Sequence, residues 1–370
     1  MTISDALELL IRYLLRPITG RAAYLIVLFG LYLISPSLIV DIINLLLEKF
    51  DAGQLPVSEP MPRLGTTIFC IGVVLILVSH FWAPRQTTRE TIGIRHNSLG
   101  SFSKEDVRKD LPIPQRLATY REIDVDHSDS YTNGLLTDHQ SILRRLNGVP
   151  QELRGLLGSS LDSRIAYYGL PHVPLAFYLG YLLSDNKYKV ELYDLNNETG
   201  RWNQLFGKDE SLETTITGAQ LPYSEDPGDV VVSIGISYPV NPVEIAELGL
   251  PNVLGTVELN ARQPQRQLIT NRNQVNQICS EFRRTLELIK NRLPNRQRIH
   301  IFYAGPVSLC FALGRCINER IDPEIVVYNY SAKTKPRYSW ALSLNHANHT
   351  SATFHSMSPK GEEHAPVQHA

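Results

Sequence analysis

Two long apolar runs stand out against an otherwise mixed chain. AAYLIVLFGLYLISPSLIV (residues 22–40) is apolar apart from two serines, and LGTTIFCIGVVLILVSHFW (64–82) repeats the pattern. At 1.5 Å per residue, about 19 helical residues cover about 28 Å, close to the bilayer core. Joined by the polar loop 41–63, the runs predict a transmembrane hairpin, with helices at 22–40 and 64–82. Arg12, Arg16 and Arg21 precede the first run and Arg85, Arg89 and Arg95 follow the second, so the positive-inside rule puts both termini in the cytoplasm. Residues 1–21 predict an amphipathic helix capped by Ser4, and Ser35-Pro36-Ser37 predicts a kink. Neither span carries a buried charge, so no ion relay is written there.

The pattern then changes. Residues 83–135 are polar without a sustained period and read as a cytosolic linker. LTDHQSILRRLNGVPQELRGLLGSS reads as two short helices, the first capped by Asp138 and ended at Asn147-Gly148, the second opened by Pro150. A β-α-β unit follows: strand Arg164–Leu170, a helix over 171–185, strand 188–196. RIHIFYAGPVSLCFALGR (298–315) lies over it at a spacing of about 134 residues. Ile165 falls on Ile299, Phe177 on Phe311 and Gly180 on Gly314; with a one-residue adjustment Tyr193 falls on Tyr328. This predicts an internal duplication, with a first unit at about 136–272 and a shorter second unit at about 273–345. Further strands are expected at 228–240 and 253–260 and a helix at 273–293, while 346–370 reads as a disordered tail.

Composition narrows the chemistry. A net charge of −1 gives no global basic field for duplex nucleic acid. Four cysteines without CxxC spacing argue against a zinc site or a disulfide framework. His346, His349 and His355 lack a carboxylate or cysteine at ligand spacing, so no metal is expected. There is no GxSxG, Walker or HExxH motif, which points away from an enzyme. Ligands of open parallel sheets bind at strand carboxyl ends, where helix N-termini favour anions. Both units place turn residues there: Gly169, Pro171 and His172, then Gly305, Pro306 and Ser308. At either turn alone, a strand-to-helix connection without a ligand is the plain alternative. Ser237 ends a strand beside the same place; Trp202, Tyr328 and Tyr330 offer stacking faces, and Arg315 and Lys333 offer charge for phosphates.

The duplication, the strand ending in Ala304-Gly305-Pro306, the FALGR helix and the aromatic-ended PEIVVYNY resemble a SAVED domain, the fused pair of CARF-like units of bacterial CBASS anti-phage systems. With the hairpin in front, the chain resembles the transmembrane SAVED effectors. The fold class is therefore α/β, two fused Rossmann-like (CARF-like) units after an N-terminal two-helix transmembrane hairpin. The resemblance implies binding of a cyclic oligonucleotide, a cyclic trinucleotide being favoured, made by a partner nucleotidyltransferase (CD-NTase). It also implies head-to-tail oligomerisation, disruption of the inner membrane and abortive infection, with no catalysis and no cofactor. It puts the ligand at Gly169, Pro171, His172, Gly305, Pro306 and Ser308; the aromatic and basic candidates rest on the residues alone. A membrane-anchored nucleotide-utilising enzyme and a ligand-binding regulator without a pore remain the alternatives.

Overall fold

The computed structural model describes residues 17–37, 40, 44, 59–81, 90–99, 107–111, 119–132, 135–157, 163–184, 188–196, 198–206, 211–218, 221–345 and 352–357. The chain divides into two compact units, residues 1–90 with 112–119, and the remainder.

In the first unit, α1 (Pro17–Ile34) pairs with α2 (Pro62–Phe81). Their contact is set by glycine: an added Cβ at Gly65 would stand 2.8 Å from the carbonyl oxygen of Gly30, and one at Gly72 would stand 2.6 Å from Val27. Small residues let the two backbones approach closely. The outward faces carry exposed Leu25, Leu28, Phe29, Ile71, Val74 and Leu77. The first helix ends at Ile34, beside the expected kink, where Ser35 N–H donates to Leu31 O at 3.0 Å. Side chains are described from Ala23 in α1 and to Leu77 in α2, and among the described residues no helix is long and apolar enough to cross a membrane. Of the amphipathic helix expected over 1–21, residues 1–16 lie outside the described residues and 17–21 open α1.

The second unit holds two sheets. One has the order β2-β1-β5-β6-β7, from β1 (Thr91–Asn97), β2 (Tyr120–Asp126), β5 (Arg164–Leu170), β6 (Val190–Asn196) and β7 (Arg201–Gln204). The other runs β14-β13-β12-β11-β9-β10-β8, from β8 (Thr214–Thr217), β9 (Gly228–Gly235), β10 (Val253–Ala261), β11 (Arg296–Ala304), β12 (Glu324–Tyr330), β13 (Tyr338–Leu344) and β14 (Thr353–Ser356). A short ladder, β3 (Tyr131–Thr132) with β4 (Leu135–Leu136), stands apart. The helices are α3 (His139–Leu157), α4 (Val173–Leu182), α5 (Pro242–Ala246), α6 (Arg272–Arg292) and α7 (Val307–Gly314).

The strand order of one sheet recurs in the other: β2-β1-β5-β6-β7 corresponds to β10-β9-β11-β12-β13, parallel throughout except for the last strand of each set. Helices α3 and α4 correspond to α6 and α7. Two expectations are corrected by this. The stretch 83–135 is not only a linker, because it supplies β1 and β2; β1 has four consecutive buried residues, so alternation could not reveal it. Nor is the second half of the repeat cut short: it begins at β9, and the strands expected in the half before it belong to its sheet. A third correction concerns α3, which is one helix with Pro150 inside it. Its buried stripe of Ile142, Leu146, Val149 and Leu153 runs unbroken past the proline, and packing of that stripe outweighs the lost bond. The Asp138 cap is as expected, its carboxylate accepting from Ser141 N–H at 3.0 Å.

Helices α4 and α7 lie back to back between the sheets. They are apolar all round, which fits a helix buried on every side. A methyl at Gly180 would overlap the carbonyl oxygen of Phe311, and one at Gly314 would overlap that of Phe177. The matched pairs of the repeat thus clasp each other reciprocally across a pseudo-two-fold axis. Tyr167 of the first sheet stacks on Phe311 of the second unit, ring centroids 3.8 Å apart. Substitution Gly180→Ala or Gly314→Ala is expected to wedge these helices apart and lower stability by about 1–3 kcal/mol, the usual range for overpacking. Denaturant unfolding checks this; Gly148→Ala, which has open space around it, is the control.

Candidate functional site

At the carboxyl ends of both parallel sheets opens a cleft of about 500 Å³, within the range of roughly 300–1,000 Å³ typical of small-ligand sites. From the first half of the two-sheet unit it is lined by Gly169 and Leu170 at the end of β5, by Asp194, Leu195 and Asn196 of β6, and by Asn203 and Leu205. From the second come Ser237 and Tyr238 after β9, Arg266, Gln267, Ile269 and Thr270 after β10, and Gly305, Pro306 and Val307 at the start of α7. The site therefore joins the two halves, and each half supplies the ends of its own strands.

Local geometry explains the lining. Gly169 has φ +140°, and a side chain there would overlap the His96 carbonyl, so only glycine turns the chain at this point. Pro306 is the N-cap of α7 with ψ 147°, and His172 occupies the same position at α4 with the same ψ. Ala304 O accepts from both Ile236 N–H and Ser237 N–H at 2.9 Å, which fixes the turn after β9 against the end of β11. Arg266 lies over the Tyr238 ring, its guanidinium 5.5 Å from the centroid, and its Nε–H donates to the Tyr238 hydroxyl. It is the only cationic side chain among the lining residues described.

The acidic group of the cleft is Asp194. Ser308 Oγ–H donates to its Oδ2 at 2.6 Å and Ser308 N–H to its Oδ1 at 3.4 Å, a bond across the two halves. Burial pushes the carboxyl up to about 6, against the opposing pull of the two Ser308 bonds.

The sequence candidates separate clearly. Gly169, Ser237, Gly305 and Pro306 line the cleft. Ser308 is buried beneath it on Asp194, and Pro171 is buried beside it. His172 is held within the first half: its N–H and Nδ1 both meet Ser98 Oγ at 2.7 Å, and it stacks on Tyr131 with centroids 4.4 Å apart. Burial holds its imidazole down at about 4. The helix expected over 171–185 starts later: Pro171 precedes the N-cap His172, and Pro174 stands in the first turn.

The aromatic and basic candidates lie elsewhere. Trp202 is on the strand face opposite Asn203; it packs edge-on against Tyr168 at 5.3 Å, and its backbone N–H donates to Asp110. Tyr328 is buried, stacked on Phe302 at 4.4 Å and hydrogen-bonded to His300 Nδ1 at 2.8 Å. Tyr330 is exposed and donates to Glu244 at 3.4 Å, and Lys333 sits in the turn that follows. Arg315 sits at the opposite end of α7, its Nε donating to Leu183 O at 3.0 Å and its Nη2 to Tyr188 O at 2.9 Å. It ties the second half of the two-sheet unit to the first rather than lining the cleft. Asp194, Asn203, Tyr238, Arg266 and Thr270 were not singled out in the sequence. Arg266 is one of nine Lys and Arg residues between positions 262 and 298, and which of them reaches the cleft depends on the loop after β10.

Of the three histidines considered for a metal, His346 and His349 lie outside the described residues, and His355 pairs with Ser343 Oγ at 2.7 Å. Among the described residues no group of histidine, cysteine and carboxylate side chains is arranged to hold a metal ion.

Residues 149–344 match the family model of the SMODS-associated and fused to various effectors sensor domain. The chain belongs to the SAVED family. Among solved structures it is similar to a Cap4 SAVED/CARF-domain containing receptor of Acinetobacter baumannii with the cyclic trinucleotide 2'3'3'-cAAA: 15% identity, 74% of this chain and 54% of that chain covered, TM-score 0.46. A Cap4 receptor of Moraxella osloensis gives 14% identity, 73% and 52% coverage and a TM-score of 0.42. The chain spans about half the length of these receptors. No curated protein matches it.

Asp194 gives the SAVED domain a pH signature of its own. Its folded pKa lies above the unfolded value of 3.8, so this group's contribution to stability falls as pH rises from about 4 to about 6. Asp194→Asn is expected to gain stability relative to the parent across that window and to level off above it. Paired unfolding titrations of the two proteins measure the difference; a flat difference would contradict the assignment.

Proposed function

We propose that this chain is a CBASS-type receptor whose SAVED domain binds a cyclic oligonucleotide, a cyclic trinucleotide by preference, in the cleft between its two halves. The observation that carries the reading is the cleft itself: strand ends and the N-terminus of α7 converge on it from both halves, with Arg266 on its wall. The cyclic trinucleotides bound by the Cap4 receptors are of the class expected here. The partner that supplies the messenger is a nucleotidyltransferase, and duplex nucleic acid is not a ligand on this reading. Gly169, Ser237, Gly305 and Pro306 let the ring approach the backbone. His172, Ser308 and Pro171 hold the two turns that present them.

In this proposal the domain is a sensor without catalysis or cofactor, and the output lies in the N-terminal hairpin. The full apolar runs 22–40 and 64–82 insert in the inner membrane with both termini cytoplasmic. Ligand binding promotes head-to-tail self-association, which gathers hairpins, permeabilises the bilayer and aborts infection. The outward Leu25, Phe29, Ile71 and Val74 suit contact with lipid or with a neighbouring hairpin. A second reading, an enzyme acting on the bound nucleotide, draws support from the raised Asp194 carboxyl beside the Ser308 hydroxyl.

Titration calorimetry with cyclic tri- and dinucleotides tests binding. Arg266→Ala is expected to weaken affinity by roughly tenfold, about 1.4 kcal/mol, and more so at low salt. Dye release from vesicles carrying the full chain tests output: release on adding ligand supports the effector, and binding without release supports a regulator without a pore. Loss of intact ligand, followed by chromatography in the same samples, supports the enzyme.

A further inference from the structure

The wall of the cleft that carries Arg266 is the stretch 262–270, between the end of β10 at Ala261 and the cap of α6 at Asn271. Arg266, Gln267, Ile269 and Thr270 face the cleft. Arg262, Gln263, Gln265 and Leu268 line a second cavity of about 400 Å³ on the other side, together with Leu212 and Glu213. Ile269 is buried near the far end, and Gln267, at φ +56°, turns the chain directly after Arg266. With a cavity on either side, the wall stands where its two ends are fixed.

Both ends are fixed by one face of α6. Gln274, Gln277 and Glu281 follow one another at three and four residues and share that face. At the far end the Gln274 carboxamide oxygen accepts from Thr270 N–H at 2.8 Å and Asn271 N–H at 3.3 Å, while Asn271 Oδ1 accepts from Gln274 N–H at 3.0 Å. This is a capping box. The near end is held through an intermediate segment. Gln277 Oε1 accepts from Leu212 N–H at 3.0 Å, and its Nε2 donates to Leu212 O at 2.6 Å. The same Nε2 donates to Glu281 Oε1 at 3.2 Å, and Glu281 Oε2 accepts from the Thr214 hydroxyl. Glu213, between the two gripped residues, accepts Arg262 N–H on its carbonyl at 2.9 Å, one step beyond the ladder in which Thr214 pairs with Ala261. The Arg262 and Glu213 side chains also pair, but both are mostly exposed, and such a pair contributes little.

We propose that Gln277 is a positioning residue for the cleft. It does not line the cleft. It fixes residues 212–214, these fix the backbone of Arg262, and the wall then presents Arg266 to a phosphate of the ligand. The inference rests on the reading of the cleft as a cyclic-oligonucleotide site. Without the two Gln277 bonds the Leu212 backbone loses both partners, and the cavity behind the wall leaves room for it to shift.

The test compares Gln277→Met, which keeps the length of the side chain and removes both bonds, with Arg266→Ala and the double variant, all in the full chain. The probes are 2'3'3'-cAAA and 3'3'3'-cAAA. Where the parent binds either, Gln277→Met is expected to weaken affinity about three- to tenfold, with no further loss in the Arg266→Ala background. Equal losses in the two backgrounds would overturn the proposal. If the parent binds neither trinucleotide, the ligand reading has failed, and hydrogen exchange still decides the positioning. Amides 262–269 are expected to exchange at least about tenfold faster in Gln277→Met than in the parent, with β11 and the second half of α6 unchanged. Unchanged exchange over 262–269, or a rise spread evenly through the domain, would count against it equally.

Discussion

The SAVED domain is organised by two glycines. Gly180 and Gly314 permit α4 and α7 to meet backbone to backbone, each receiving the carbonyl of the phenylalanine three positions before its partner. At that separation the two sheets close over a single apolar core, and Tyr167 of one half reaches Phe311 of the other. The cleft inherits its position from the same contact. Because the helices start side by side, the turns that open them, at Leu170–His172 and Ala304–Pro306, come to one end of the domain. Arg315, at the far end, secures the arrangement by binding carbonyls of the opposite half. Close packing makes such a contact stiff, since neither helix can slide without opening a void.

What the sequence revealed of this follows from where its signals were local. The central strands and both buried helices were legible, since a run of apolar residues bounded by Gly and Pro marks them directly. The repeat was visible at Phe177, Gly180, Phe311 and Gly314 because the reciprocal clasp constrains those positions to be alike. Strands β1 and β2 were not legible. β2 alternates only over the short stretch Glu122–Asp126, β1 is buried on both faces, and the charged sequence around them resembles a linker. Pro150 misled for a different reason: a helix break predicted from local chemistry was overridden by a buried stripe that local chemistry does not see.

The site was half legible on similar grounds. The turns at Gly169 and Gly305 announce themselves through backbone requirements. The side chains that give the cleft its chemistry do not, because Arg266 and Tyr238 arrive from loops and Asn203 from an edge strand. Aromatic residues at strand ends suggested stacking, yet the period of two sends Trp202 and Tyr328 to the outer faces of their sheets. A one-residue difference along a strand, Asn203 against Trp202, decides which side chain lines the cleft.

Covalent fusion of the two halves has a chemical consequence at the cleft. Two identical chains around a true axis must offer every group twice, so a lone carboxyl at the axis is impossible for them. Here the halves have diverged: His172 stands where the other half has Pro306, and Asp194, counted from the matched Tyr193 and Tyr328, stands where the other has Asn329. Asp194 and Ser308 meet once, as do Arg266 and Tyr238. The cleft therefore presents a different wall on each side.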